Sequence, residues 1–244
     1  MSFAVKPYVR SVSLDPAAEI DPDAYPFSIP AVRELGVLEP HPDVTFFVGE
    51  NGAGKSTVLE AIAVALGLPA EGGTRNVHRE QQAVSPLHRY LKLVKGFRHP
   101  RFSYFLRAES LFNVFTYLDS LGPDSPPSMH LHSHGEAFMK VLQSFGGDGL
   151  YLLDEPEAAL SPNRQLAALA VIDKLVKRGA QFIIATHSPI LLAYPRSKIL
   201  LFDDTGISHV DYEDTEHHAV TRDFLNHYPR RLQQLLEDDT GRPE

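Results

Sequence analysis

Gly49-Glu50-Asn51-Gly52-Ala53-Gly54-Lys55-Ser56-Thr57 decides how the rest of the chain is read. A glycine, four residues and then Gly-Lys-Ser is the pattern of a loop that wraps phosphate groups. Its flanks supply the required context. Val44-Thr45-Phe46-Phe47-Val48 reads as a buried parallel strand, and Val58 to Leu66 reads as a helix. Glycines let successive backbone N–H groups turn inward toward phosphate oxygens. The helix behind the loop adds its unpaired first N–H groups and the positive end of its dipole. Glu50, Asn51, Gly52, Ala53 and Gly54 therefore form the cradle. Lys55 is expected to reach the β- and γ-phosphates, Ser56 to place its hydroxyl on Mg²⁺, and Thr57 to stand beside it on the first turn.

Working outward, two further strands end in polar residues. Leu150-Tyr151-Leu152-Leu153 runs into Asp154-Glu155-Pro156-Glu157, and Gln181-Phe182-Ile183-Ile184-Ala185-Thr186 runs into His187-Ser188-Pro189. In an open parallel sheet, ligands gather where strands end at their carboxyl tips. Asp154 is placed to support Mg²⁺, directly or through water. Glu155, one position on, points elsewhere and is placed to polarise an attacking water. His187 is placed to meet the γ-phosphate or that water.

The remaining chain reads as one α/β unit. Residues 8–14 and the region of Phe27-Ser28-Ile29-Pro30 with Val32 read as strands, with a Pro- and Asp-rich loop over 15–26. Residues 86–94 read as a short helix, with strand as the alternative, and 101–106 alternate as a strand. Residues 111–121 read as a helix and 123–127 as a turn. Asn163 to Lys177 is an amphipathic helix. Residues 199–202 and 207–212 flank Asp203-Asp204-Thr205-Gly206 as a hairpin, and Phe224 to Leu236 forms a last helix before a frayed tail over 238–244.

At 244 residues and 43% apolar content, the chain has enough for one large core. No cysteine is present, which excludes disulfides, thiol catalysis and cysteine-held zinc. The first residues lack the apolar core of a signal peptide, so a cytoplasmic protein is expected. A net charge of −8 argues against a broadly basic nucleic-acid surface. Lys92, Lys95, Arg98, His99 and Arg101 form the best basic cluster, which reads as a solvated face. His130, His132 and His134 alternate but have no carboxylate or cysteine partner, so no metal site is expected there. His217-His218 reads as a solvated pair. Tyr25 or Phe27 is the candidate for stacking on adenine, with core packing as the competing role.

Taken in order, Gly49 to Thr57, Ser133-His134-Gly135-Glu136, Asp154-Glu155-Pro156, Ala159-Leu160-Ser161 and Thr186-His187-Ser188 resemble the head of ABC-type ATPases. The closer resemblance is to the small soluble AAA/SMC/RecF-like ATPases, over about residues 27 to 236. It implies an α/β P-loop NTPase fold of the ABC type. That fold has a mixed sheet, an N-terminal antiparallel β part, and a small helical lobe inserted over about 68–145 within a single domain. It implies ATP and Mg²⁺ as ligands, Glu155 as catalytic base and His187 as the switch histidine. Ser133, Gly135 and Glu136 correspond to a degenerate signature that caps the γ-phosphate of a partner, with Ala158 to Ser161 as the segment crossing that interface. ATP is then held between two copies, giving a homodimeric, nucleotide-driven switch with outputs such as DNA repair or defence.

Two departures stand out. His134 occupies a position where glycine is common, and the signature's leading leucine is missing. Arg107-Ala108-Glu109-Ser110 stands where transporter ATPases have a glutamine, with Glu109 as the candidate metal contact. That weakens the alternative of a transporter's ATP-binding subunit and makes a membrane partner unexpected. A third reading is a nucleotide-binding scaffold with little hydrolysis, against which Glu155 and His187 argue.

Overall fold

The computed structural model describes residues 6–74, 85–108 and 134–237. Its centre is a six-stranded sheet in the order β4 (Phe102–Arg107), β5 (Gly149–Asp154), β6 (Gln181–Ala185), β2 (Val44–Val48), β7 (Ser197–Asp203) and β8 (Gly206–Val210). All neighbours are parallel except β8, which returns antiparallel to β7 through the Asp203–Gly206 turn. The expected α/β class with a mixed sheet is therefore what the chain forms. A separate antiparallel pair joins β1 (Val9–Leu14) to β3 (Leu91–Lys95).

Every residue of β2, β5 and β6 is buried. Strands covered on both faces need no polar alternation, which explains their continuous apolar runs. Period-two geometry divides them between two cores. Phe47, Leu152 and Ile183 pack on one side with helix α2 (Lys55–Ala65), short helix α1 (Pro30–Arg33) and β1. Phe46, Leu153 and Ile184 pack on the other with α3 (His134–Ser144), α4 (Pro162–Lys177) and α5 (Pro189–Leu192). The result is a three-layer sandwich whose parallel strand tips all open to one edge.

Residues 27–32 do not form the expected strand. Pro30 sits in the first turn of α1, where its fixed φ and missing N–H suit a helix start. Phe27 is buried at 3% exposure and meets Tyr90 edge-on, so it is core rather than a stacking platform, whereas Tyr25 is 58% exposed. Residues 86–94 divide between a 3-10 turn, Pro86–Arg89, and β3. The last helix, α6 (Glu216–Glu237), begins eight residues before the expected Phe224 because Thr215 caps it, its hydroxyl accepting from His218 N at 3.3 Å. His227 leaves helical geometry at φ −132°, two residues before Pro229. The helix expected over 111–121, the turn at 123–127 and the tail at 238–244 lie outside the described residues. So does much of the span 68–145, whose described part supplies β3, β4 and α3.

One buried polar side chain ties β1 to the main sheet. Gln181, fully buried, accepts from Tyr8 N at 2.8 Å and Val9 N at 3.0 Å, and donates to Val9 O and His41 O at 3.1 Å each. Leucine there would leave three buried backbone groups and the half-buried His41 carbonyl without this partner, each buried one costing about 1–3 kcal/mol when unmet. Gln181→Leu is therefore expected to lower unfolding free energy by about 3 kcal/mol or more, read from the urea midpoint at unchanged slope.

Candidate active site

Three strand tips converge at the open edge. Strand β6 lies between β2 and β5 in the sheet, so its continuation stands between the phosphate loop and Asp154. Thr186 N donates to Phe47 O at 3.2 Å, and Glu155 N donates to Ala185 O at 2.9 Å, which locks the three ends together.

The loop itself turns on glycine. Gly49 has φ +141°, and a Cβ there would lie 2.2 Å from Phe202 O on β7. Gly54 caps α2 at φ +95°, and a Cβ there would lie 3.0 Å from Ile29 and 3.1 Å from Val32, the side chains that α1 packs over the loop. Helix α2 starts at Lys55, not Val58, so Lys55, Ser56 and Thr57 occupy its first turn, where backbone N–H groups have no intrahelical acceptor. Gly49→Ala is expected to destabilise the chain by about 2 kcal/mol or more through strain and the carbonyl clash. Thermal melting without nucleotide reads that effect.

Lys55 is 4% exposed and donates to Gly49 O at 2.9 Å and Glu50 O at 2.7 Å. Burial lowers its pKa from the ordinary lysine value, while the carboxylates of Glu155, Asp154 and Glu157 pull the other way. Ser56 donates its hydroxyl to Asp154 Oδ1 at 2.9 Å, joining residues 98 positions apart. A hydroxyl and a carboxylate side by side are hard oxygen donors that suit Mg²⁺, an ion that fills most of its shell with water and phosphate oxygens. Among the described residues, no group of three or more His, Cys, Asp or Glu side chains forms a metal cage.

Glu155 takes left-handed backbone angles, φ 48° and ψ 51°, ahead of Pro156. Such a conformation is uncommon for a residue with a Cβ. It turns the carboxylate off the strand line, 3.8 Å from His187 Nε2. Burial lowers the His187 pKa, assisted by Lys55 and opposed by Glu155.

Three neighbours escaped the sequence reading. Arg107 ends β4 in register with Asp154, its Nε 3.4 Å from Asp154 Oδ2 and its guanidinium bonded to Glu60 at 2.8 Å. Glu157 accepts from Thr186 Oγ1 at 2.7 Å and from the His187 backbone N–H, pinning the β6 tip to the segment after β5, and burial raises its pKa. His217 lies 2.9 Å from His187 Nδ1 and is half-buried, as is His218 against Tyr212, so the solvated pair is corrected. Only Glu157 carried a local signal, as the second acid after the strand-end Asp-Glu.

Gly135 and Glu136 open α3. Gly135 has no room for a Cβ against Arg164 and Ala159 O, and Glu136 pairs with Arg164 at 3.1 Å. They stand beside the segment from Ala158 to Ser161. Ser133, Glu109, His130 and His132 lie outside the described residues, as does the side chain of His134.

Two family models match the chain. One, described as an AAA domain, covers residues 28–95, and the other, an AAA domain of a candidate AbiEii toxin in a Type IV TA system, covers residues 114–193. Between them they take in the phosphate loop and both polar strand tips. Both matches are to AAA domains, and each covers less than half of the chain.

The chain is 22% identical, over 205 residues, to the energy-coupling factor transporter ATP-binding protein EcfA2 of Methanospirillum hungatei JF-1. That match covers 75% of the chain and 51% of the relative, so the chain spans about half the length of the curated relative it matches. The SMC head domain from Thermotoga maritima aligns at TM-score 0.44 with 15% identity, covering 83% of this chain and 98% of that one. An SMC head bound to the C-winged helix domain of ScpA aligns at TM-score 0.47 with 15% identity, covering 84% and 98%. Among the described residues, no helix is long and apolar enough to cross a membrane.

Proposed function

We infer that the domain binds MgATP on residues 49–57 and cleaves the bond between the γ-phosphorus and the β–γ bridging oxygen. The observation that carries this reading is the Ser56–Asp154 hydrogen bond of 2.9 Å beside the buried Lys55. Loop amides and the first turn of α2 hold the phosphate oxygens. Lys55 leaves its two loop carbonyls for the β- and γ-phosphates, where its charge is better spent. Ser56 and Asp154 would hold Mg²⁺, which neutralises phosphate charge when bound. Arg107 holds Asp154 so that its other oxygen faces Ser56. Glu155 orients the attacking water and takes its proton, and His187 donates toward the γ-phosphate. ADP leaves with the bridging oxygen, and phosphate with the oxygen from water.

In this reading two copies close over the nucleotide. Ser133, Gly135 and Glu136 of one meet the γ-phosphate held by the other, so ATP binding favours the pair and hydrolysis releases it. A transporter-subunit reading draws on the printed name of the Methanospirillum relative, and co-purification with a membrane protein would favour it. Arg107-Ala108-Glu109 in place of a glutamine weighs against it. The direct test is phosphate release from ATP by the purified chain. ADP and phosphate in equal amounts, abolished by chelating Mg²⁺, support the reading. Material that neither binds nor cleaves ATP overturns it.

A further inference from the structure

We propose that His217, in the first turn of the C-terminal helix, is a positioning residue that fixes the tautomer and orientation of His187. This rests on the ATPase reading of the same site. The ring nitrogens His187 Nδ1 and His217 Nε2 are 2.9 Å apart, with ring centroids at 5.1 Å. One hydrogen bond between two neutral imidazoles uses one proton, so the donor at this contact decides what each ring offers at its far nitrogen. Where His217 Nε2–H donates, His187 Nδ1 accepts and His187 carries its proton on Nε2. That nitrogen is buried, has no hydrogen-bond partner among the described residues, and stands 3.8 Å from Glu155 Oε1. It then presents a donor to the phosphate and to Glu155. With the opposite tautomer it would present a lone pair to both, which repels.

The surroundings favour neutral rings. Burial is the largest influence on each and lowers both pKa values. Lys55 pushes both the same way. Glu155 opposes at His187, and Glu216 and Glu157 oppose at His217.

His217 is also held in place independently of this contact. The 3-10 turn Tyr212–Asp214, which precedes α6, docks through Tyr212 OH onto Pro189 O at 3.0 Å, two residues beyond His187. Thr215, buried, donates its hydroxyl to Tyr212 O at 2.7 Å while capping α6. The strand-tip loop carrying His187 and the helix start carrying His217 are thus joined at two points. The helix whose outer half lies exposed supplies a group to the nucleotide site at its inner end.

The test combines rate and tautomer. His217→Ala is expected to lower kcat for MgATP by about tenfold to a hundredfold, with KM within about twofold, as for loss of a group that orients a reacting one. His217→Gln, whose amide N–H falls near the lost Nε2–H, is expected to regain most of that rate. Adding His217→Ala to His187→Ala is expected to cost nothing further, because His217 acts only through His187. Long-range ¹H–¹⁵N imidazole spectra of the wild-type chain are expected to show His187 as the Nε2–H tautomer, with the alanine variant at 217 losing that single form. A wild-type rate in His217→Ala, a glutamine variant no faster than alanine, additive losses in the double variant, or His187 observed as Nδ1–H would each overturn the proposal. The spectra need no turnover, so a wild-type chain that fails to hydrolyse ATP sinks the ATPase reading while the tautomer still decides the role of His217.

Discussion

Glu155→Gln is expected to cut ATP turnover by about a hundredfold to ten-thousandfold while leaving MgATP binding intact. The amide keeps the shape of the side chain and its hydrogen-bonding reach but cannot take a proton from water. Its backbone, in the left-handed region before Pro156, is unaffected by the change. Nothing in the loop or at Asp154 is altered, so affinity should stay within a few-fold of wild type. If two copies close over ATP, blocking the step that opens them accumulates the pair. Light scattering with MgATP should then show the variant at twice the monomer mass, returning to monomer when ATP is withheld. Turnover within a few-fold of wild type would remove Glu155 from the catalytic role.

The second large effect concerns Lys55. A ligand at a hundred times its Kd stabilises by about 2.7 kcal/mol. For a chain of this length, that corresponds to a rise in melting temperature of about 5–10 °C. Lys55→Ala is expected to shift by less than about 1 °C at the same MgATP concentration, since it removes the buried cation meant for the phosphates. Without nucleotide, the variant should melt close to wild type. Two hydrogen bonds to Gly49 O and Glu50 O are lost, but so is the burden of a buried ammonium whose pKa burial lowers. The comparison separates lost binding from lost folding. An undiminished MgATP shift in Lys55→Ala would place the nucleotide elsewhere.

The readable parts of the site share one property: each is a strand followed at once by its functional residues. The phosphate loop, Asp154-Glu155 and Thr186-His187 are all local patterns, and the structure brings all three together. Arg107 and His217 were unreadable for the converse reason. Arg107 matters because β4 pairs with β5 in a register that sets it opposite Asp154. His217 matters because Tyr212 seats the start of α6 on α5. Neither relation leaves a trace in the neighbouring residues. The misread strand at 27–32 has the same origin, since its apolar residues look extended until Gly54 shows what they pack against.

By itself the sequence determined which groups are available here: a glycine-rich loop with a lysine, hydroxyl and carboxylate oxygens, an acid beside them, and buried strands to hold each in place. Those depend on residue type and on spacings of a few positions. Tertiary structure decided the company they keep. By placing β6 between β2 and β5, the sheet set His187 between loop and acid, the pairing of β4 with β5 gave Asp154 its arginine, and the docking of the last helix brought His217 to the same edge. Packing of distant segments makes those choices, because strand order and helix docking are settled by burying two apolar faces at once.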